Sequence, residues 1–253
     1  MIGIFDSGSG GLTVLKEIRS MLPQVDVVYF GDTANMPYGE KGAEEICTLT
    51  KRGIGILQKN GATHVVSACN SVSVSVTKEL LAECGIAPRN FVEMVTPTVS
   101  RCSFSVEKEQ EKSVRMLVCA TSATVRSGAY QKGLCSRGIQ QVDVVAMPEL
   151  VCAIEAADMH AVYTVIYTHL QRIHTPPSHI LLGCTHYPIA IDMFKKATET
   201  MGWHGVEFVN PATFVAKEVA ERGWNVPANN TTKYVFSEES HVSMDFVERV
   251  LVA

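Results

Sequence analysis

Short apolar runs recur along this chain, each followed by a longer stretch whose apolar positions repeat at three- and four-residue intervals. The runs at 2–5, 25–30, 64–68, 91–95, 116–120, 142–147, 179–182 and 206–209 are rich in Val and Ile, as strands buried on both faces are. The stretches at 12–22, 43–59, 72–84, 123–132, 149–170, 189–201, 212–222 and 244–252 read as helices. Pro23, Asn60-Gly61 and Gly85 stop the first three. Strands alternating with helices of this length predict an α/β protein built on parallel sheet.

The pattern also repeats at long range. Val25-Asp26-Val27-Val28 returns as Val142-Asp143-Val144-Val145, 117 residues on. Residues 64–70 are echoed by 179–185 at an offset of 115, and residues 2–7 line up with 116–121 at 114. Three strand ends in the same order at nearly one offset predict two similar Rossmann-like halves, related by a pseudo-twofold. Ligands of open parallel sheets bind beyond the carboxyl ends of the strands. Those ends carry Asp6-Ser7, Asp32-Thr33 and Cys69-Asn70-Ser71 in the first half, and Thr121, Glu149 and Cys184-Thr185-His186 in the second. Halves that face one another would set Cys69 and Cys184 on opposite walls of a single cleft, with the active site between them.

Composition narrows the class. The 253 residues are 46% hydrophobic and 19% charged, enough for a substantial core without disulfides or metals. Lys+Arg number 22 against 26 Asp+Glu, and no basic run occurs, so a nucleic-acid surface is not expected. Residues 107–112 mix both signs and read as a solvated turn or helix end. No apolar run reaches the roughly 18–20 residues of a membrane span. The start, Met1-Ile2-Gly3-Ile4-Phe5-Asp6, lacks the basic region of a signal peptide. A cytoplasmic protein with reduced thiols and no membrane partner is therefore expected. Its eight cysteines stand singly without a CxxC pair, which disfavours a zinc ribbon or a redox motif. His169, His174 and His179 recur every five residues, the wrong interval for one helix face, and Pro176-Pro177 interrupt them, so no metal site is expected.

Two segments carry candidate chemistry. Asp6-Ser7-Gly8-Ser9-Gly10-Gly11-Leu12 is a strand-to-helix turn whose N–H groups could hold a carboxylate. It lacks the Lys-Ser/Thr of a P-loop, and Thr13 stands where the dinucleotide fingerprint needs its third glycine. Gly183-Cys184-Thr185-His186-Tyr187-Pro188 sets a thiol at a helix start beside a histidine, surroundings that lower a thiol pKa. No GxSxG elbow is present, and a Cys-His hydrolase would leave the second cysteine unused. Opposed thiols suit the removal of a proton from one face of a carbon and the return of another to the opposite face. One enters as thiolate and the other as thiol, each with a neighbour that sets its protonation. Asp6 is the candidate beside Cys69, His186 beside Cys184, and Glu149 a third.

Five ordered segments spanning residues 3 to 188 resemble the signature segments of bacterial glutamate racemase, within the aspartate/glutamate racemase superfamily. They are Asp6-Ser7-Gly8-x-Gly10-Gly11-Leu12; Gly31-Asp32-Thr33-Ala34 with Pro37-Tyr38-Gly39; Ala68-Cys69-Asn70; Ala123-Thr124-Val125-Arg126-Ser127-Gly128-x-Tyr130; and Gly183-Cys184-Thr185-His186-Tyr187-Pro188. The resemblance implies a cofactor-independent racemase that converts L-glutamate to D-glutamate for peptidoglycan and cell-wall biogenesis, using neither pyridoxal phosphate nor metal. It implies two α/β domains, residues 1–95 completed by 210–253, and residues 96–209. A homodimer is also a habit of the family, with no interface legible in these residues.

Carried over by position, Cys69 would exchange the α-proton on the D side and Cys184 on the L side, assisted by Asp6, Glu149 and His186. Asp6, Ser7, Pro37, Tyr38, Gly39, Asn70, Ser71, Thr121, Thr185 and His186 would hold the substrate. The chain departs from the family where Cys-Asn-Thr-Ala-Ser becomes Cys69-Asn70-Ser71-Val72-Ser73, where Asn35 replaces a frequent Arg, and where Ala120 replaces a glycine. Two alternatives remain open at this level. One is an aspartate or broad-specificity amino-acid racemase, decided by pocket length. The other is a catalytically silent amino-acid-binding protein of the same fold.

Overall fold

A computed structural model of the protein describes residues 1–102, 114–238 and 250–251. Its first half runs β1 (Ile2–Asp6), α1 (Leu12–Met21), β2 (Val27–Gly31), α2 (Ala43–Lys59), β3 (His64–Ser67), α3 (Asn70–Ser73), α4 (Lys78–Glu83), β4 (Phe91–Val92) and α5 (Val95–Arg101). The second runs β5 (Arg115–Ala120), α6 (Ser122–Ser127), α7 (Ala129–Ser136), β6 (Gln141–Ala146), α8 (Leu150–Glu155), α9 (Met159–Leu170), β7 (His179–Gly183), α10 (Ile191–Thr200) and β8 (Glu207–Val209). Then α11 (Pro211–Glu221) and β9 (Thr232–Phe236) follow.

The strands form two parallel sheets, ordered β4-β3-β1-β2-β9 and β6-β5-β7-β8. Read in reverse, the second is β8-β7-β5-β6, which matches β4-β3-β1-β2 strand for strand. The registers agree too. Ile2 pairs with Val27 and His64, and Met116 pairs with Val142 and His179. Val27 is thus the structural counterpart of Val142. The four-letter repeat that aligns Val25 with Val142 is out of register by two residues, a shift that a strand's period of two hides because it keeps every side chain on its own face.

Each sheet is covered on both faces, and alternate residues feed separate cores. Ile2, Ile4, Val27 and Tyr29 pack with Leu12, Leu15 and Ile18 of α1 and with Val215 and Val219 of α11. Phe5, Val28, Phe30 and Val65 pack on the other face with Ile46, Ile54 and Leu57 of α2. In the second sheet, Leu117, Cys119, Ile180 and Leu182 face α8, α9 and α10, whereas Met116, Val118 and Leu181 face Tyr130 and Leu134 of α7. The late segment of the chain returns to the first sheet, where β9 pairs in parallel with β2.

Several expected helices are broken. The stretch 72–84 is two helices, because Thr77 caps a fresh start by accepting the N–H of Leu80. The stretch 123–132 turns at Gly128, whose φ of 65° is left-handed. The stretch 149–170 breaks before Asp158, which caps α9 through the N–H of Ala161. The strand β9 has no counterpart in the apolar pattern, as it is half-exposed and follows a polar Asn-rich stretch. Residues 107–112 lie outside the described residues, and so does most of the expected helix 244–252.

Candidate active site

The two central cysteines end equivalent strands. Cys69 follows β3 and opens α3, and Cys184 follows β7 five residues after His179, as Cys69 follows His64. Both thiols are free and buried, and they line the same small cavity between the sheets. Ser7, Pro37, Tyr38, Gly39, Asn70, Ser71, Thr121, Thr185 and His186 line it with them. Two apolar members, Met36 and Val151, escape the motif-based reading.

The walls are electrostatically unequal. The Cys69 Sγ donates to Ser7 Oγ at 3.4 Å. Burial, and then the charge of Asp6, push this thiol up to about 12, so it rests protonated. Asp6 is wholly buried just behind the wall, accepting the N–H of Gly8 at 3.0 Å and the hydroxyl of Thr185 at 3.4 Å. Burial raises its carboxyl above the ordinary value despite the opposing pull of His186.

Across the cavity, Nδ1 of His186 stands 3.9 Å from Cys184 Sγ, and Nε2 stands 2.6 Å from Oε1 of Glu155. Burial works against the imidazolium, but Cys184 and Glu155 outweigh it and hold the His186 pKa well above its ordinary value. Burial would likewise raise Glu155, yet His186 and the hydroxyl of Ser9 keep it below the usual range. The result is a cationic ring, locked from behind by a carboxylate, that faces one of the two sulfurs.

Glu149 does not join this group. Its side chain is 62% exposed at the start of α8 and meets His169 at 3.3 Å. The break before Asp158 ends α8 at Glu155, which lies beside His186. Glu155 is the carboxylate that strand-end reasoning missed, since it sits at the far end of the helix rather than at the strand end. Tyr38 also differs in detail. Its hydroxyl is spent on Asp32 at 2.6 Å, so it offers the cavity its ring and backbone. Asn35, which stands where the family often has Arg, supports the same Asp32 through its amide at 3.0 Å. Ser71 and Thr121 join hydroxyls at 2.9 Å across the two halves.

The glycine turn lets the walls approach. A Cβ on Gly10 would lie 2.4 Å from Nδ1 of His186 and 2.6 Å from the hydroxyl of Thr185. The cavity enclosed is about 20 Å³, room for roughly a single water. No described helix is long and apolar enough to cross a membrane.

No family model matches the chain. Individual relatives do. A glutamate racemase from Ruegeria sp. is 36% identical over 206 residues, 78% of this chain and 76% of the relative. One from Aquifex aeolicus is 37% identical over 222 residues, 87% and 82% of the two chains. Among solved structures, glutamate racemase from Francisella tularensis in complex with D-glutamate superposes with a TM-score of 0.81 at 27% identity, covering 100% of this chain and 93% of that one. An aspartate racemase from Picrophilus torridus shares the fold at a TM-score of 0.60 and 16% identity. With more than a third of positions identical over most of its length, the chain belongs to the glutamate racemase family of isomerases.

Proposed function

We propose that this protein interconverts L- and D-glutamate by two-base proton transfer between Cys184 and Cys69, without pyridoxal phosphate or metal, and so supplies D-glutamate for peptidoglycan. The carrying observation is the pair of buried thiols lining one cavity, one beside a cation and the other beside a carboxylate. In the L-to-D direction, the Cys184 thiolate takes the α-proton, the Cα–H electron pair stays on the substrate, and the Cys69 S–H delivers a proton to the opposite face. The sulfurs end with their charges exchanged, and the reverse reaction swaps the roles. Cys69, held protonated, is prepared as the donor.

The carbon acid is weak, so the enolate-like charge needs aimed donors in a dry site. Asn70, Ser71, Thr121 and Thr185 are the candidates, with Ser7 and the backbone near Gly39 completing the grip. Asp6 and His186, the latter supported by Glu155, adjust the two sulfurs. The division of residues 1–95 with 210–253 against 96–209 serves as the unit of opening. That the Francisella tularensis relative was solved with D-glutamate favours glutamate over aspartate.

The test is to incubate the purified, chelator-treated protein with L-glutamate, and separately with L-aspartate, in D2O without pyridoxal phosphate. Loss of circular dichroism for glutamate alone, with deuterium at the α-carbon, is expected. Loss for aspartate alone would transfer the reading to an aspartate racemase. Retention of both signals would favour the silent binding protein.

A further inference from the structure

Asn70 is 2% exposed and lines the cavity, and its amide is held at one end only. Tyr130, from α7 in the other half, donates its hydroxyl to Asn70 Oδ1 at 2.6 Å. The amide nitrogen Nδ2 is buried and has no hydrogen-bond partner among the described residues. Leaving such a donor unmet is costly unless it is kept for something that enters the site.

We infer that Tyr130 is a positioning residue for the reaction: its O–H fixes the Asn70 carboxamide so that the NH₂ group faces the cavity as a donor to a substrate carboxylate oxygen. This rests on reading the cavity as the amino-acid site. An amide rotated by half a turn would present its oxygen, and that oxygen would repel a carboxylate. The phenol proton given to Oδ1 selects the orientation that leaves Nδ2 free, over a rotated amide that would donate to the phenol oxygen instead. Tyr130 is itself 2% exposed, anchored among Met116, Val118 and Leu134, so the donor does not wander. Burial, with Glu93 nearby, keeps its phenol well above the ordinary value, and it remains a donor at every working pH. The contact also spans the two halves, which sets the amide only when the walls are together.

A double-mutant cycle on the purified full-length protein tests this. Tyr130→Phe removes only the oxygen and should raise KM for L-glutamate roughly tenfold, with the loss falling on KM more than on kcat. Asn70→Ala should do the same or worse, and the double variant should be no worse than Asn70→Ala within about twofold, because both changes remove one function. Multiplying losses would overturn the inference, as would a Tyr130→Phe variant with wild-type KM, whatever its melting temperature. Asn70→Asp supplies a test independent of Tyr130: it keeps the acceptor but turns an oxygen into the cavity, and should bind glutamate more weakly than Asn70→Ala. Equal or tighter binding would overturn the orientation. If Asn70→Ala retains wild-type KM, Asn70 is no substrate ligand and the inference falls with that premise. An impaired Asn70→Ala beside a silent Tyr130→Phe leaves the substrate reading intact and removes Tyr130 alone.

Discussion

At the scale of single residues, the proposed reaction assigns the labour by neighbour, a cation beside Cys184 and a carboxylate beside Cys69. Replacing either sulfur by Ala should lower racemisation at least about a thousandfold, since each proton must be both taken and returned. Initial rates from both enantiomers check this, and a variant with wild-type turnover would remove its cysteine from the mechanism. The two glutamates can be told apart by pH. Glu155 holds the His186 imidazolium, so Glu155→Gln should let the ring lose its proton sooner. The alkaline limb of kcat/KM should then move to lower pH by about one unit or more, while Glu149→Gln leaves it in place.

The stability consequence has a defined window. His186 is raised in the folded state, so its share is present below its unfolded value of 6.5 and is lost as pH rises through the folded value. Glu155 is lowered, so its share is present above 4.5 and is lost in acid as pH falls through the folded value. Thermal melts should separate wild type from Glu155→Gln most between those two pH values.

At the scale of elements, the strand-to-helix turns decide whether the walls meet. At Gly10 the two halves approach closely, with ring and hydroxyl atoms where a Cβ would stand. Gly10→Ala should cost about 1–3 kcal/mol by overpacking, seen as a fall of several degrees in Tm, and should lower kcat disproportionately by displacing His186. A normal kcat with a lowered Tm would make the glycine structural only. Strand positions were legible in the Val- and Ile-rich runs because a strand buried on both faces leaves no polar alternation. Helix breaks were less so. Thr77 and Asp158 act as caps only where the chain has somewhere to turn, and Thr and Asp inside an apolar stretch read equally as solvent-facing helix positions.

For the whole molecule, the proposed glutamate site is a cavity of about 20 Å³ between two sheets. D-glutamate at roughly a hundred times its Kd should raise Tm by several degrees, the thermal equivalent of about 2.7 kcal/mol. D-aspartate at the same concentration should leave Tm nearly unchanged, and an equal shift would broaden the substrate class.

The parallel sheets and the two cysteines at matching strand ends were legible in the chain, because local periodicity and a nearly constant offset do not depend on how the halves dock. Tertiary structure alone decided that Glu155 rather than Glu149 backs His186, that Tyr38 spends its hydroxyl on Asp32, and that Tyr130 reaches Asn70. These are matters of where a helix ends and which side chain crosses between halves. Such contacts arise where packing rather than spacing along the chain sets the neighbour.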